Sequence, residues 1–370
     1  MKKTSILLII AGVLILTITI SLAVKPELFS FRFEPKTPVK QISASVKENK
    51  MIREEKQDSK RLAKSLFIDK EFNKSDNDFK YQKVKLESEG LSYTYIAPNG
   101  IEIDGAGNVY VSDPANNLLR VYWPDGQAKG IIDFGVLGEY IYIKDWKVSK
   151  EGMVYVLTAD ELFYSDFNEK SPVNKLDETF DNAHLLYIGN NGNVSVLDIS
   201  CESMNLRARK YSKEGNLLST FEQFNKELNL FDYEGNSNNL IKIELLGGSY
   251  EEELQYVITN TSYPGKEYLV SFSSENEDSI AGISVIGIDN DGNLYFLKRL
   301  FKKNSEDSLY SVHKFSFEDE KLESHDIDDL KMLPTEGLTD HLIKVDYSGN
   351  VYQLQTSEDK VEVKKYIIGK

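Results

Sequence analysis

A short turn sequence recurs along most of this chain and limits the folds that the chain can adopt. Its clearest copy lies in residues 98–126, where an alternating apolar run is followed by the turn DGAGN and then by a second short strand, VYV. Period-two apolar patterns that are broken by glycine and asparagine predict antiparallel strands joined by tight turns. The pattern therefore predicts an all-β structure wherever it recurs.

The glycine of this turn marks each copy of the repeat. The copies have their turn glycines at Gly107, Gly152, Gly192, Gly292 and Gly349, at intervals of 45, 40, 100 and 57 residues. The long interval leaves room for one degenerate copy in residues 231–274, with strands expected at 240–243 and 256–258. Repeats of about 40–50 residues with several short strands each predict a β-propeller, because one small sheet cannot bury both faces alone.

The best copy resembles an NHL repeat. Its residues 98–126 read P-x-G-I-x-I-D-x-x-G-N-x-Y-V-x-D, followed by N-x-x-L-R-V-Y and P-D-G, and residues 287–295 and 344–352 match over the turn. The second and third copies have Ser149 and Gly189 in place of the aspartate. The resemblance implies a six-bladed β-propeller with four-stranded antiparallel blades over residues 80–370. Proteins of this family include binding platforms and a few enzymes.

The repeated residues also predict how the turns and the ring are built. The aspartate before each turn should accept hydrogen bonds from turn N–H groups, and the glycine should supply a positive φ. Residues 289–293 resemble the start of a calcium loop, but the glycine is fourth rather than sixth, so a turn is the better interpretation. In the last blade, residues 351–354 and 361–367 provide two strands. Residues 91–96 are the predicted outermost strand, with 81–86 as a rival or additional strand.

The amino terminus contains a long apolar segment. Residues 5–24, from Ser5 to Val24, carry no charge, and about 20 such residues can span a bilayer as a helix. Lys2 and Lys3 favour a cytoplasmic amino terminus, which predicts a single-pass protein of the cell membrane with its propeller outside the cytoplasm. The alternative is a secreted protein with a cleaved signal peptide, since residues 21–23 form a small-x-small triplet.

Residues 25–79 are rich in charge and lack a sustained apolar period. We expect a charged spacer there, with a surface helix over residues 43–67, and a partner-binding segment is the alternative. The predicted domains are thus the anchor at 1–24, the linker at 25–79 and the propeller at 80–370.

Composition excludes several classes of function. The formal net charge of −15 argues against nucleic-acid binding, which requires a basic surface. The single cysteine, Cys201, excludes an internal disulfide and a cysteine-based zinc cage. The sequence also lacks a Gly-rich phosphate loop, a G-x-S-x-G elbow and an H-E-x-x-H motif.

Candidate site residues lie eight positions before each turn glycine, near the start of the predicted innermost strands. They are Asn99, Lys144, His184, Ser284 and His341, with Asp145 and Asp340 beside two of them. In a six-bladed ring, His184 and His341 would face each other across the central channel. Two imidazoles could coordinate a metal, but such a site needs at least three protein ligands and the sequence offers no evident third. We therefore predict a polar ligand-binding mouth, with no catalytic residue, metal or cofactor.

The sequence favours non-catalytic recognition of a protein, peptide or glycan at the propeller face, since loops on rigid blades commonly carry binding residues. A metal-dependent hydrolase or lyase acting in the central channel is the alternative, as the family resemblance includes lyases and related lactonases. A scaffold for a membrane complex is a third hypothesis.

Overall fold

A computed structural model gives this chain an all-β structure, as the turn pattern predicted. The structure describes residues 51–56, 62–72, 78–85, 93–135, 143–167, 173–176, 178–189, 192–199, 206–223, 233–235, 239–274, 278–303, 308–328 and 341–368. Within these ranges the regular elements are strands, apart from a 3₁₀ turn at Pro114–Asn116.

Four described strands precede the first repeat unit at residues 98–126. They are β1 (Met51–Lys56), β2 (Ala63–Glu71), β3 (Gln82–Lys85) and β4 (Tyr93–Ile96). β3 and β4 pair with each other as a two-stranded antiparallel sheet. β1 and β2 instead join sheets that are formed by later parts of the chain.

The next twelve strands form three four-stranded antiparallel sheets, each built from consecutive strands. Unit 1 contains β5 (Ile101–Ile103), β6 (Val109–Asp113), β7 (Leu118–Tyr122) and β8 (Ala128–Asp133). Unit 2 contains β9 (Asp145–Val148), β10 (Met153–Leu157), β11 (Leu162–Asp166) and β12 (Asn174–Lys175). Unit 3 contains β13 (Ala183–Ile188), β14 (Val194–Ile199), β15 (Leu206–Tyr211) and β16 (Leu217–Gln223).

Two further sets of four strands share a nine-stranded sheet. Unit 4 contains β17 (Tyr233–Gly235), β18 (Asn239–Ser249), β19 (Glu253–Asn260) and β20 (Glu267–Ser273). Unit 5 contains β21 (Ser279–Ile288), β22 (Leu294–Phe301), β23 (Ser308–Ser316) and β24 (Lys321–Asp326). β1 lies between β20 and β24 and joins the two sets. β18 and β19 include the strands expected at 240–243 and 256–258, so the prediction of a degenerate copy is confirmed.

Unit 6 joins the two ends of the described chain. It contains β25 (Ile343–Val345), β26 (Asn350–Thr356) and β27 (Lys360–Ile367), with β2 paired antiparallel to the outer edge of β27. The predicted outermost strand at 91–96, and its rival at 81–86, were wrong, because β2 occupies that edge while β3 and β4, the described strands in those ranges, pair with each other. β2 fits this edge better, since it pairs along nearly the whole of β27 and buries Ile68 in the core.

The first strands of consecutive units lie against one another. β21 contacts β25, β25 contacts β5, β5 contacts β9 and β9 contacts β13. Neighbouring units share hydrophobic cores; for example, Tyr110 of unit 1 packs in one cluster with Trp146 and Val154 of unit 2. The small sheets thus pack face to face in chain order, with their first strands adjoining. This arrangement is consistent with a β-propeller.

The aspartate turns have the predicted geometry. Asp104 Oδ1 accepts hydrogen bonds from the N–H groups of Ala106 (3.0 Å) and Asn108 (2.8 Å), and Oδ2 accepts from the Tyr110 hydroxyl (3.1 Å). Asp289 and Asp346 make the same set of contacts within their own turns. The turn glycines have positive φ values, including Gly107 at 81°. The Asp289 carboxylate is thus occupied by turn donors, as expected for a turn rather than a calcium loop.

The region predicted to be a charged spacer contains strands. β1 and β2 lie within residues 25–79, and residues 51–56 and 63–67 of the expected surface helix are in extended conformation. Ile52, Ile68, Phe72 and Phe79 of this segment are buried, so a few apolar residues in a charged segment are enough to fix it when neighbouring sheets provide open edges. The remaining described part of this segment does not form a helix.

The predicted membrane anchor at residues 5–24 lies outside the described residues. In the described ranges, the structure contains no helix of sufficient length and apolar character to cross a membrane.

Candidate functional site

Five ionisable side chains meet where the first strands of units 6, 1 and 2 lie side by side. We call them the inner-strand cluster, and its members are Glu102 of β5, Asp145 and Lys147 of β9, His341, and Lys344 of β25. His341 precedes β25 in the sequence, and its backbone carbonyl accepts a hydrogen bond from the N–H of Ile101 at 2.8 Å. The cluster therefore joins three units at their inner strands.

Strand alternation explains why charged residues lie in otherwise apolar strands. Each of three members follows one apolar residue and precedes another, in the sequences Ile101-Glu102-Ile103, Trp146-Lys147-Val148 and Ile343-Lys344-Val345. Successive side chains of a strand point to opposite sides, so the apolar residues enter the cores between units while the charged residue points the other way. The flanking residues are buried, except Val345, which is half-buried.

His341 lies between two carboxylates. Its Nδ1 is 2.7 Å from Glu102 Oε1, and its Nε2 is 2.9 Å from Asp145 Oδ1. The ring is buried and stacks on Trp146 with a centroid distance of 5.9 Å. Because a carboxylate only accepts hydrogen bonds, the ring satisfies both partners when both of its nitrogens carry a proton.

Two lysines complete the cluster. Lys344 Nζ is 3.0 Å from Glu102 Oε1, and Lys147 Nζ is 3.3 Å from the same oxygen. Lys147 Nζ is also 3.3 and 3.2 Å from the two His341 ring nitrogens, and these nearly equal distances put the ammonium against the ring rather than in line with one lone pair. Asp145 has a further partner in unit 3, because its Oδ2 accepts a hydrogen bond from the Leu186 N–H at 2.8 Å.

The ion pairs keep both acids ionised. Burial opposes ionisation of Glu102, but Lys344, Lys147 and His341 together hold its pKa well below the usual range. Burial also opposes ionisation of Asp145, and its pKa is nevertheless lowered by Lys147, His341 and the Leu186 N–H. Burial lowers the pKa of Lys344, although the Glu102 charge opposes that shift. Each acid of the cluster is therefore compensated by cations of the same chain.

The structure brings two of the seven predicted site residues together, namely Asp145 and His341. Asn99 is bonded instead to Ser112, whose hydroxyl donates to Asn99 Oδ1 at 2.8 Å. Lys144 precedes β9, and its N–H donates to the Leu157 carbonyl at 2.7 Å. Ser284 is exposed in the middle of β21.

The remaining two predicted residues are not described at the level of their side chains. His184 lies in β13, and its side chain falls outside the described part, as does the whole of Asp340. That His184 and His341 face each other across the central channel therefore stays a prediction.

Glu102, Lys147 and Lys344 were not predicted as site residues, although the sequence carried a signal for them. All three lie five residues before a turn glycine, Gly107, Gly152 and Gly349 respectively. The equivalent positions of units 3 and 5 hold Tyr187 and Gly287. A charged residue that recurs at the centre of an apolar inner strand is the pattern that identifies this cluster.

The arrangement does not fit a metal centre. Among the residues that the structure describes, no group of three or more His, Cys, Asp or Glu is placed to hold a metal ion. In the inner-strand cluster, the donor atoms of the acids and of His341 face one another and the lysines rather than a common point. A metal would have to displace two ammonium groups that compensate the same carboxylates.

Comparison with known proteins gives structural neighbours only. No family model matches the chain, and no curated protein matches it. Virginiamycin B lyase from Staphylococcus aureus is 15% identical and covers 78% of this chain and 100% of its own, with a TM-score of 0.39. The β-propeller domain of the Trilobed protease from Pyrococcus furiosus is 12% identical and covers 74% and 85%, with a TM-score of 0.36.

A gluconolactonase from Xanthomonas campestris is a further neighbour. It is 12% identical and covers 72% of this chain and 85% of its own, with a TM-score of 0.35. Similarities of this size assign neither a ligand nor an activity to this chain.

Proposed function

We propose that this chain is a non-catalytic binding module, in which six four-stranded blades of NHL type close into a ring and present a protein, peptide or glycan site. The observation that carries the proposal is the compensation of the inner-strand cluster. Glu102 and Asp145 are each hydrogen-bonded or ion-paired to His341 and a lysine, so neither is available as a metal ligand or as a base next to a nucleophile.

Closure into six blades is supported by the pairing of β2 with β27. This pairing covers the outer edge of unit 6 with a strand from the other end of the described chain. Contacts between first strands run from β21 through β25, β5 and β9 to β13, which is the chain order expected around a ring. A closed ring leaves no long edge open and explains why single units need not be stable alone.

The inner-strand cluster has a mechanical role in this proposal. Its ion pairs fix the spacing of the first strands of units 6, 1 and 2, and the Asp145–Leu186 hydrogen bond extends the connection to unit 3. Loops that connect rigidly spaced strands are held in one arrangement, and this lowers the entropy lost when they bind a ligand. The recognised surface is then formed by loops at the ends of these strands.

The test combines metal analysis with binding. The purified full-length chain is analysed for bound metal and assayed for hydrolysis or elimination on a panel of lactones, and it is also applied to a glycan array and a peptide library. We expect no stoichiometric metal, no turnover, and saturable binding to one ligand class that EDTA leaves unchanged. Stoichiometric metal together with EDTA-sensitive turnover would refute the proposal.

A hydrolase or lyase is the second candidate, and the environment of His341 favours it. A buried imidazole between two carboxylates, with contacts of 2.7 and 2.9 Å, resembles an oriented general acid or base. His341→Gln separates the two functions. In an enzyme of this kind the variant loses turnover but keeps its substrate affinity, whereas in a binding module it changes stability and leaves ligand binding at the loops largely intact.

The proposal includes a location at the cell membrane, with the module outside the cytoplasm. An anchor at residues 5–24 would hold the module outside the cytoplasm, as the uncharged run and the preceding lysines predict. Protease treatment of intact cells tests this arrangement, since an external propeller should be cut from the membrane fraction without cell lysis. Recovery of the chain in the medium would instead support signal cleavage.

A further inference from the structure

β1 occupies a different kind of position from β2. β2 supplies the fourth strand of unit 6, whereas units 4 and 5 each have four strands of their own without β1. β1 lies in the cleft between the last strands of these two units, β20 and β24, and runs parallel to both. Below we call this space the β20–β24 cleft.

The backbone of β1 changes partner half way along the strand. Residues 51–53 are in register with residues 269–271 of β20, and residues 54–56 with residues 322–324 of β24. Pairing to a sheet edge is a common way in which folded domains bind extended peptides, and it uses main-chain groups that every sequence has. The β20–β24 cleft therefore provides two half-length edges for one extended segment.

Apolar specificity comes from one side chain of β1. Ile52 is 8% exposed and belongs to the hydrophobic cluster that includes Val270 and Phe272 of β20, Phe315 of β23 and Leu322 of β24. The cluster is made of residues from both units that border the cleft. It therefore selects an aliphatic side chain at this position of the bound segment.

Charge specificity comes from Glu54, two residues further on. Its side chain is 6% exposed, and its oxygens accept hydrogen bonds from Lys298 Nζ at 3.0 and 2.8 Å. Lys298 is 1% exposed and also donates to the Ser273 carbonyl at 3.1 Å, while the Ser273 N–H donates to Glu54 Oε1 at 3.2 Å. Truncating one partner of a buried ion pair such as this one is strongly unfavourable.

We propose that the β20–β24 cleft is a peptide-binding site for an extended segment with an aliphatic residue two positions before a glutamate, and that the chain fills it with its own Met51–Lys56. The site is separate from the inner-strand cluster and does not depend on the function proposed above. Backbone pairing supplies general affinity, and Ile52 and Glu54 fix the register of the bound segment.

The test converts the internal strand into an exchangeable peptide. A specific protease site is inserted in the full-length chain between residues 56 and 62, and the chain is cut after it has folded. We expect the amino-terminal fragment to stay bound during size-exclusion chromatography. Excess synthetic peptide with the sequence of residues 49–58 should then displace it, as measured by fluorescence polarisation of a labelled copy.

Two peptide variants report on the recognition of Glu54. The Glu54→Gln peptide should compete at least about tenfold less well, since truncating one partner of a buried charge pair weakens binding strongly. The Glu55→Gln peptide is the matched control, because Glu55 is 65% exposed and pairs with Lys321 at the surface. It should compete about as well as the unchanged peptide.

Two outcomes would overturn the proposal. One is release of the amino-terminal fragment on cutting, without added peptide. Another is equal competition by the Glu54→Gln and Glu55→Gln peptides, which would mean that the cleft does not recognise the glutamate. Because the chain folds before it is cut, neither result can be attributed to a failure to fold.

Discussion

Two buried histidines of this protein have opposite surroundings. His341, in the inner-strand cluster, has a carboxylate at 2.7 Å and another at 2.9 Å from its two ring nitrogens. His313, in β23, has its Nε2 2.8 Å from the Ser311 hydroxyl, while its Nδ1 is 4.0 Å from Glu54, beyond hydrogen-bond distance. The Glu54 carboxylate is instead bonded to Lys298. We call Glu54, Lys298, Ser311 and His313 the outer-edge cluster.

The comparison shows that the neighbouring side chains determine which contacts a buried histidine makes. Burial, reinforced by the charge of Lys298 and by His325, lowers the pKa of His313 well below its usual value, so this ring stays neutral. In the inner-strand cluster, two acids and two lysines lie together, so each of these charged groups has a neighbour of opposite charge. The inner-strand cluster thus joins consecutive units through several partly redundant ion pairs, whereas the contact of the outer-edge cluster between β1 and unit 5 is centred on the Glu54–Lys298 ion pair.

Glu54→Ala should have the largest effect, because it removes the carboxylate that lies 2.8 Å from Lys298 Nζ, a side chain that is only 1% exposed. We expect the free energy of unfolding to fall by about 3–5 kcal/mol, measured by urea denaturation. The double variant Glu54→Met with Lys298→Met should recover most of this loss, since it removes both charges. A double variant as unstable as the single one would contradict the assignment.

Glu102→Gln should cost less, about 1–3 kcal/mol in the same measurement. The side chains of Lys147 and Lys344 are 23% and 15% exposed, compared with 1% for Lys298, so the loss of one carboxylate should cost less here. His341 also keeps Asp145 as a partner. If Glu102→Gln proves as destabilising as Glu54→Ala, the inner-strand cluster is not redundant and the comparison between the two clusters fails.

As the pH falls, the protein should lose the stability contributed by the outer-edge cluster at a higher pH than that contributed by the inner-strand cluster. The unfolded chain protonates histidine near pH 6.5, whereas folded His313 and His325 have lowered pKa values, so stability falls as pH drops below 6.5. The stability contributed by the lowered pKa values of Glu102 and Asp145 is present above their usual values of 4.5 and 3.8 and is lost only at lower pH. His313→Gln should therefore reduce the loss between pH 7.5 and 5.5 by about 1 kcal/mol. An unchanged loss in denaturation curves at the two pH values would contradict a neutral His313.

Glu55→Gln should have the smallest effect, within about 0.5 kcal/mol of the unchanged chain. Glu55 follows Glu54 directly in β1, but its side chain points to solvent. Comparable unfolding midpoints for this variant and the unchanged chain would confirm that burial, rather than charge in this strand, makes Glu54 important. A large loss would indicate that the two glutamates act together.

The sequence predicted local structure well where one residue type can perform one task. The Asp–Gly turn at residues 104–107 and its copies at 289–292 and 346–349 were predictable, because an aspartate before a glycine of positive φ satisfies the turn by itself. The degenerate unit 4 was predictable from spacing alone. Of the candidate site, Asp145 and His341 were found by alignment to these turns.

Long-range pairing was less predictable, and β1 and β2 illustrate the reason. Both lie in charged sequence, and their extended conformation depends on the open edges of β20, β24 and β27, which are formed by residues about 200–300 positions away. Local composition contains no information about which edges are free. The two strands were therefore predicted as spacer, and residues 91–96 as the closing strand.

The sequence by itself determined the repeat, its turns and the alternation that makes each unit a half-buried sheet, because these depend on contacts between residues close in the chain. The tertiary structure decided which strand closes unit 6, where β1 lies, and that Glu102, Lys147, His341 and Lys344 meet. Those arrangements depend on which sheet edges and which buried charges remain unpaired after the units have formed, and only the assembled chain specifies that.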